Sequence, residues 1–283
     1  MKKILITGAD SYIGTSFKNW IGKYFDLYKV DTIDVKGNIW KDKFFGSYDV
    51  IYHVAAIVHV KENDVEKYFS VNRDLVIEIA KKAKQEGVKQ FIFLSTMGIY
   101  GMETGIIDKS TKPNPKTHYA KSKLEAENLL NKISDETFKV AILRPPIVYG
   151  RNCKGNYPRL AKLASMLPVF PKHNNNRSMI FIDNLSEFTR IIIERGMEGL
   201  FFPQNKEYVN ITELAQLVAR SHGRELKVIK IFNPLINLGV KLSNTFAKVF
   251  GTLVYDKKLT DNNGNEFDYE TCSFKESIEL TEK

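Results

Sequence analysis

The chain has 283 residues, of which 43% are hydrophobic and 27% charged, and this composition fits a globular protein with one large domain or a domain and an appended lobe. Its formal net charge is +9, but the lysines are spread along predicted helices beside glutamates, which favours a solvated surface and argues against nucleic-acid binding. Attraction to an anionic ligand or a membrane surface is the alternative, whereas an integral membrane segment is excluded because no apolar run approaches about 20 residues.

Strand-like apolar runs alternate with helical patterns over the first half of the chain. The predicted strands are Ile4–Thr7, Lys29–Ile33, Val50–Val54, Phe91–Ser95 and Lys139–Leu143, with helices at 13–24, 64–86 and 117–133. This alternation predicts an α/β fold with a doubly wound parallel sheet. The segment before Val50 is too short for a full strand–helix unit, so we expect the sheet to be trimmed there.

The pattern becomes irregular after Gly150. We predict a strand at Ser178–Ile182 followed by a helix to about Glu194, then a helix at 212–222, a strand near 226–231 and a turn at 261–265. The expected organisation is a first domain over 1–150, to which 177–202 returns, and a smaller interwoven lobe over 151–283.

The segment Ile231–Phe250 has an amphipathic pattern. Such a stripe usually marks the face of a helix that packs on a core, and we expect it to pack within the C-terminal lobe. Binding to a membrane surface is the alternative interpretation.

Two cysteines and five histidines carry no metal or disulfide signature. Cys153 and Cys272 form neither a disulfide framework nor a zinc motif, and the histidines have no metal-ligand spacing, so we predict no metal site. The first strand begins almost at Met1, which leaves no room for a signal peptide. We therefore expect a cytoplasmic protein.

The string TGADSYIG at 7–14 stands between the first strand and the first helix. This is the strand–turn–helix context of a dinucleotide-binding glycine turn. Gly8 permits a tight turn, Gly14 permits close packing of the helix on the strand, and the helix N-terminus offers N–H groups to a pyrophosphate. An acidic residue about 20 positions further on can bind the adenosine ribose. Asp34 is our choice and Asp31 its competitor, and either favours NAD over NADP.

The string YAKSK at 119–123 places Tyr119 and Lys123 one helical turn apart on the same face. An ammonium in that position can lower the pKa of the phenol and make it a proton shuttle. Taken alone, the pair is more typical of a solvated helix surface. Together with the glycine turn, it predicts hydride chemistry on a nicotinamide cofactor.

With these motifs in order, the chain resembles the extended short-chain dehydrogenase/reductase family, and in particular nucleotide-sugar epimerases of bacterial surface-polysaccharide pathways. The resemblance runs nearly end to end. It is carried by TGADSYIG (7–14), DVIYHVAA (49–56), Asn72, FLSTMGIYG (93–101), YAKSK (119–123), LRPPIVYG (143–150), KGNYPRL (154–160) and NRSMIFIDNL (176–185). One departure is Ser11, which stands where the glycine turn usually has a third glycine.

The resemblance implies a Rossmann domain that binds NAD and a smaller lobe that binds a UDP-sugar. The cofactor-binding positions that it implies are Gly8, Ser11, Tyr12, Ile13, Gly14, Asp34, Ala55, Ala56, Ser95, Tyr119, Lys123 and Pro145. Related enzymes often dimerise through two helices per subunit, so the helices at 64–86 and 117–133 are candidates for a homodimer interface.

For catalysis, the resemblance implies that Tyr119 takes the hydroxyl proton of the sugar while Lys123 binds the nicotinamide ribose. Thr96 orients the sugar, and Asn72 is a supporting residue. Dehydratases of this family carry an Asp-Glu pair after that threonine, where this chain has Met97 and Gly98. Neither can move a proton, so elimination is disfavoured, and the glutamate of nucleotide-sugar decarboxylases is also absent.

Substrate recognition is expected from Asn156 and Arg177, which match positions that contact uridine diphosphate in related epimerases. An arginine suits this role because its planar fork binds phosphate oxygens in pairs. Asp183 is expected to cap the following helix. The predicted function is epimerisation at C4 of a UDP-hexose in polysaccharide biosynthesis. A reductase of a UDP-4-keto-6-deoxy sugar and, more remotely, a non-catalytic nucleotide sensor are the alternatives.

Overall fold

The computed structural model describes residues 1–58, 64–260 and 268–283, which fall into two compact units. The first unit comprises residues 1–101, 112–145 and 186–202, and the second comprises 102–111, 146–185 and 203–283.

The elements are as follows in chain order. The strands are β1 (Lys2–Thr7), β2 (Tyr28–Ile33), β3 (Val50–His53), β4 (Gln90–Leu94), β5 (Gly105–Ile107), β6 (Lys139–Leu143), β7 (Ile147–Tyr149), β8 (Val169–Pro171), β9 (Met179–Phe181), β10 (Gly199–Phe201), β11 (Lys227–Ile229) and β12 (Leu253–Tyr255). The helices are α1 (Tyr12–Ile21), α2 (Val65–Phe69), α3 (Leu75–Gln85), α4 (His118–Ile133), α5 (Asn156–Met166), α6 (Ile182–Glu194), α7 (Ile211–Ser221), α8 (Asn233–Leu242), α9 (Asn244–Phe250), α10 (Lys257–Thr260) and α11 (Phe274–Glu282).

A parallel six-stranded sheet forms the centre of the first unit. Its strand order is β10-β6-β4-β3-β1-β2, and every neighbouring pair runs parallel. The chain moves from β1 outward to β2 and then restarts on the other side with β3, so the order reverses between β1 and β3. This confirms the predicted doubly wound α/β fold. Between β2 and β3 the structure has a single 3₁₀ turn, Ile39–Asp42. This confirms that the segment before Val50 does not contain a full helix and strand.

The core of the first unit forms where the strands present fully buried apolar side chains. Leu5, Ile51 and Phe91 on neighbouring strands lie in one cluster with Val76 and Ile79 of α3. Burying one such side chain contributes about 1.5–3 kcal/mol. This packing fixes the carboxyl ends of β1 and β3 side by side.

The helix predicted at 64–86 is interrupted. A π turn at Ser70–Asp74 separates α2 from α3, and Asn72 at its centre is fully buried. π turns within helices are frequent at functional sites because the extra residue redirects a side chain.

Three two-stranded parallel sheets and several helices build the second unit. The pairs are β5 with β12, β7 with β9 and β8 with β11. The helix predicted at 212–222 and the strand near 226–231 correspond to α7 and β11. Helices α5 and α11 were not predicted from the sequence, although α11 begins with a complete capping box between Ser273 and Glu276. The turn predicted at 261–265 lies outside the described residues.

The amphipathic segment Ile231–Phe250 forms α8 and α9, but its apolar stripe does not face the core. Ile236 and Ala247 are buried, whereas Leu235, Leu238 and Leu242 are exposed. The expectation of core packing is therefore wrong for most of the stripe. The sequence period shows that apolar residues share a face of the helix and not where that face points. Over the described residues, no helix combines the length and apolar character needed to cross a bilayer.

Candidate active site

The glycine turn after β1 lies against the loop that follows β3. Gly8 has φ +102°, and a Cβ atom on it would come within 2.9 Å of the backbone nitrogen of Ala55. A Cβ on Gly14 would lie 2.9 Å from Val54 Cγ2, so both glycines are required by close approach. The structure thus brings Gly8, Gly14 and Ala55 together at the point where the strand order reverses. In open α/β sheets, ligands bind in the crevice at this point.

Ser11 has a defined structural role in place of a glycine. It is the N-cap of α1, and its hydroxyl accepts a hydrogen bond from the Gly14 N–H at 3.4 Å. Tyr12 and Ile13 form the first turn of α1 behind it. The substitution therefore keeps the turn and adds a hydroxyl at the helix N-terminus, where anions bind.

The two acidic residues considered for ribose binding have different surroundings. The Asp31 carboxylate lies within β2 and accepts a hydrogen bond from the Tyr48 hydroxyl at 2.9 Å. Asp34 directly follows the carboxyl end of β2, is exposed, and accepts from the Lys36 N–H at 2.9 Å. Asp34 thus stands exposed at the strand end, whereas Asp31 is already hydrogen-bonded to Tyr48.

His53 ends β3 beneath the same crevice and is fully buried. Its Nδ1 lies 2.8 Å from the Thr7 hydroxyl of β1. Burial and the nearby positive charge of Lys123 lower the pKa of His53 to about 3, so the imidazole is neutral at physiological pH. It acts as a packing group between β1 and β3.

Helix α4 carries both Tyr119 and Lys123. Thr117 caps the helix by accepting from the Ala120 N–H. Lys123 is 1% exposed, and its amine donates to the Leu94 carbonyl at 2.8 Å and lies 4.5 Å from the centre of the Phe93 ring. These contacts hold the amine at the carboxyl end of β4.

The pKa values of the pair follow from burial. Burial lowers the pKa of Lys123 to about 7, against the opposing effect of the Glu127 carboxylate. Burial also raises the pKa of the half-buried Tyr119 phenol to about 12. The expected lowering of the phenol pKa by Lys123 is not found in this structure, because removal from water outweighs any attraction from an amine directed at Leu94. Tyr119 is a neutral hydrogen-bond donor here.

A buried polar network that was not predicted from the sequence lies behind α4. The Glu127 carboxylate is 2% exposed and accepts from the Ser95 hydroxyl and from Arg144 Nε at 3.1 Å and 3.2 Å. Arg144 also donates to the Tyr100 hydroxyl at 2.8 Å. Glu127 lies four residues beyond Lys123, on the same helix face. This spacing was the one sequence signal that could have indicated that Glu127 is buried beside the candidate site. The Ser95 hydroxyl, expected at the cofactor, is thus bound to Glu127.

Thr96 begins the 3₁₀ turn Met97–Tyr100. Its hydroxyl oxygen accepts from the Gly98 N–H at 3.0 Å, which leaves its own proton available to a ligand. The Met97 N–H donates to the carbonyl of the buried Pro145 at 2.9 Å. Pro145 therefore fixes the start of the turn.

Asn72 joins three parts of the first unit. Its amide oxygen accepts from the Ile57 N–H at 2.9 Å, and its amide nitrogen donates to the Ile57 carbonyl at 3.0 Å and to the Ser122 hydroxyl at 3.3 Å. The Ser122 hydroxyl donates to the Tyr119 carbonyl at 2.9 Å. Asn72 thereby links the loop containing Ala55 and Ala56 to α4.

The two residues expected to contact uridine diphosphate belong to the second unit. Asn156 is exposed at the start of α5. Arg177 is 4% exposed, and its guanidinium donates to the Ala247 carbonyl at 2.8 Å and to the Lys248 carbonyl. Its Nε is buried without a hydrogen-bond partner. Burial lowers the pKa of Arg177 to about 10, and the group remains cationic. Asp183 lies in the first turn of α6.

Comparison with known proteins identifies a matching family and several chains that are similar to this one. Residues 4–201 match the model of the NAD dependent epimerase/dehydratase family. The UDP-glucose 4-epimerase of Vibrio cholerae is 29% identical over 92% of this chain and 85% of its own length. An enzyme of Escherichia coli O157:H7, N-acetyl-alpha-D-glucosaminyl-diphospho-ditrans,octacis-undecaprenol 4-epimerase, is 24% identical over 88% of this chain and 81% of its own.

Among solved structures, UDP-glucuronic acid 4-epimerase from Bacillus cereus in complex with NAD superposes with a TM-score of 0.76. The match covers 99% of this chain and 95% of that one at 19% identity. At this identity the likeness concerns the fold.

Proposed function

The chain belongs to the NAD dependent epimerase/dehydratase family, and from this premise we propose that it inverts C4 of a UDP-hexose through a transient 4-keto sugar. The observation that carries the proposal is that Tyr119 and Lys123 lie one turn apart on α4, with the buried Lys123 amine at the carboxyl end of β4. Relatives named as 4-epimerases match most of the chain, which supports the same reaction.

The residues of the glycine turn fit NAD. Gly8 and Gly14 let the turn and α1 pack closely against Ala55 and Val54, and the N-terminus of α1 is proposed to bind the pyrophosphate. Asp34 is proposed to bind the adenosine ribose. NAD, when bound, supplies the acceptor and later the donor of the hydrogen removed from C4.

The side chains of the first unit are proposed to handle the proton and orient the sugar. Tyr119 takes the proton from the O4 hydroxyl as C4 becomes a carbonyl, and returns it after the keto sugar has turned over. Lys123 would hold the nicotinamide ribose, and the positive charge of the oxidised nicotinamide ring would lower the pKa of the phenol from about 12. Thr96 donates its free proton to the sugar.

Elimination of water has no support in the residues after Thr96. The 3₁₀ turn that Thr96 begins contains Met97 and Gly98, and neither has a side chain that can act as acid or base. The proposal is therefore oxidation followed by reduction at one carbon.

Arg177 and Asn156 are proposed to bind the diphosphate and its nucleoside. The Arg177 guanidinium keeps an unpartnered Nε, so it has capacity for one more acceptor. Arg177→Ala should raise the Michaelis constant for the sugar nucleotide. Because Arg177 also binds the end of α9, thermal unfolding must be measured in parallel. An unaltered constant in a folded variant would remove Arg177 from the site.

Proton NMR of the purified protein tests the reaction. UDP-glucose, UDP-galactose, UDP-GlcNAc and UDP-GalNAc are supplied in turn with NAD alone, and a C4 epimer should grow without net NADH. No reaction on all four, followed by turnover of a UDP-4-keto-6-deoxy sugar with NADH or NADPH, would instead identify a reductase.

A second candidate substrate is a sugar diphosphate linked to a polyprenol, the class named for the Escherichia coli relative. The observation that favours it is the exposed apolar stripe of α8, since a polyprenyl chain resides in a membrane. The same NMR experiment with N-acetylglucosaminyl-diphospho-polyprenol in detergent micelles separates the two classes. Either substrate fits a cytoplasmic enzyme of polysaccharide or lipid-linked glycan synthesis, and a homodimer through α3 and α4 is proposed by analogy alone.

A further inference from the structure

Six large apolar side chains on and beside α8 and α9 are exposed, and we call them the α8–α9 face. Their exposed fractions range from 42% to 77%. The members are Ile231, Phe232, Leu235, Leu238, Leu242 and Phe246. Leu235, Leu238 and Leu242 are spaced by three and four residues, so they form one stripe along α8, and Ile231 and Phe232 directly precede the helix. Apolar surface gathered in this way on a protein marks an interaction site.

The face is held firmly by the second unit. Ile236 is 4% exposed on the opposite side of α8, and the Asn233 amide donates to the Lys172 carbonyl at 2.9 Å. A Cβ on Gly239 would lie 2.8 Å from the Phe246 ring, which shows how closely the two helices pack. Phe250 of α9 contacts the ring of Phe170 with centroids 6.1 Å apart. The exposed stripe is thus part of a packed helix pair.

The segment that carries the face has charge of one sign. Residues 226–255 contain no Asp or Glu, and their four lysines are all exposed. These lysines are Lys227, Lys230, Lys241 and Lys248. Lys248 contacts Glu103 at 3.6 Å, in a neighbouring loop of the same unit. An apolar stripe flanked by lysines is the pattern of helices that lie on anionic membranes, with the apolar side chains at the acyl boundary and the amines among the head groups.

A second copy of the chain fits this face less well. In a two-fold interface the same patch meets itself, so four lysines would oppose four lysines with no acidic residue from the segment between them. We propose that the α8–α9 face docks the protein on a bilayer that contains anionic lipids. This docking is independent of the reaction proposed above and requires no sugar.

Vesicle flotation of the full chain tests the proposal. The protein should float with vesicles of phosphatidylglycerol and phosphatidylcholine, and should remain at the bottom with phosphatidylcholine alone. The double variant Leu235→Glu/Leu238→Glu should lower the partition coefficient at least about tenfold, because it places charge at the acyl boundary. Lys230→Gln/Lys241→Gln should lower it about tenfold by removing attraction to the head groups.

Matched controls use exposed residues elsewhere. Leu27 and Leu280 are 54% and 46% exposed, so Leu27→Glu/Leu280→Glu changes the same residue type at similar exposure. Lys29→Gln/Lys81→Gln controls the charge. Far-ultraviolet circular dichroism and thermal melting establish that each variant is folded.

Failure of the folded wild type to float with anionic vesicles overturns the proposal. So does flotation of Leu235→Glu/Leu238→Glu equal to that of its control. If sedimentation shows that this variant loses self-association while its vesicle binding is unchanged, the face belongs to a second copy and the proposal is wrong.

Discussion

Arg144 and Glu127 form a buried ion pair directly behind the helix that carries Tyr119 and Lys123. Both side chains are less than 10% exposed, and the Ser95 and Tyr100 hydroxyls complete their hydrogen bonding. The pair ties α4 to the carboxyl ends of β4 and β6, from which Thr96 and Pro145 follow. It is a positioning element for the candidate site.

Glu127→Gln should destabilise the protein markedly. The change leaves the Arg144 guanidinium buried without its counter-charge, and breaking such a pair costs about 3–5 kcal/mol. The measurement is the free energy of unfolding in urea. Glu78→Gln is the control, because the Lys41–Glu78 pair is more than half exposed on both sides and should change stability by less than about 0.5 kcal/mol. Equal effects of the two changes would contradict a special role for Glu127.

Tyr119→Phe should remove activity while leaving the protein folded and able to bind NAD. The phenolic hydroxyl, which is proposed to accept and return the proton, is the only group lost, and general acid–base catalysis contributes about 10²–10⁴-fold. Turnover number and NAD affinity are measured together. Tyr24→Phe, on a half-buried tyrosine of the 3₁₀ turn after α1, is the control and should retain activity. A Tyr119→Phe enzyme with normal turnover would remove Tyr119 from the reaction.

The amine of Lys123 should make stability depend on pH between about 7 and 10. Its pKa is lowered to about 7 in the folded chain, from 10.5, so within this window the unfolded chain binds more protons. Stability therefore rises with pH there, by up to about 1.4 kcal/mol per pH unit. Below pH 7 both states are protonated and the dependence ends.

The comparison for this effect is Lys123→Met, which removes the titrating amine. Its unfolding free energy, measured in urea from pH 6 to pH 10 without cofactor, should lack the rise attributed to Lys123. The range stops at pH 10 because the raised pKa of Tyr119 lowers stability above it. Parallel curves for wild type and variant would show that the Lys123 pKa is ordinary.

Asp34→Ala should weaken NAD binding by about tenfold, since a charged hydrogen bond contributes roughly 1.5–3 kcal/mol. Asp31→Ala is the matched variant, because Asp31 binds Tyr48 within β2 and should affect stability more than NAD affinity. Titration calorimetry with NAD and NADP distinguishes the two. If Asp31→Ala is the one that loses NAD affinity, the assignment reverses.

The central sheet and the glycine turn were predictable because their signals are local. Runs such as Ile4–Ile6 and Val140–Leu143 are continuous and apolar, and Gly8 and Gly14 occupy positions where a Cβ atom would clash with neighbouring residues. The placement of Tyr119 and Lys123 on one helix face likewise follows from spacing within one turn.

Features that depend on distant contacts were not predictable in this way. Glu127 and Arg144 are 17 residues apart, and an isolated glutamate on a lysine-rich helix is expected to be solvated. The exposure of Leu235 and Leu242 was missed for a related reason. The period of a stripe is the same whether the helix faces a core or the outside, and the difference lies in what else the chain packs there.

The π turn at Ser70–Asp74 changes the angular direction of the side chains between α2 and α3, which together form one continuous helix. One extra residue advances the helix by about 100° relative to an unbroken α-helix. Side chains before and after the turn therefore follow two different angular phases. Deleting one residue at the turn would bring the side chains of α2 and α3 into a single angular phase. The same deletion would rotate Asn72 away from Ile57 and Ser122. Alignments of such chains should place a one-residue gap here without shifting the flanking helices.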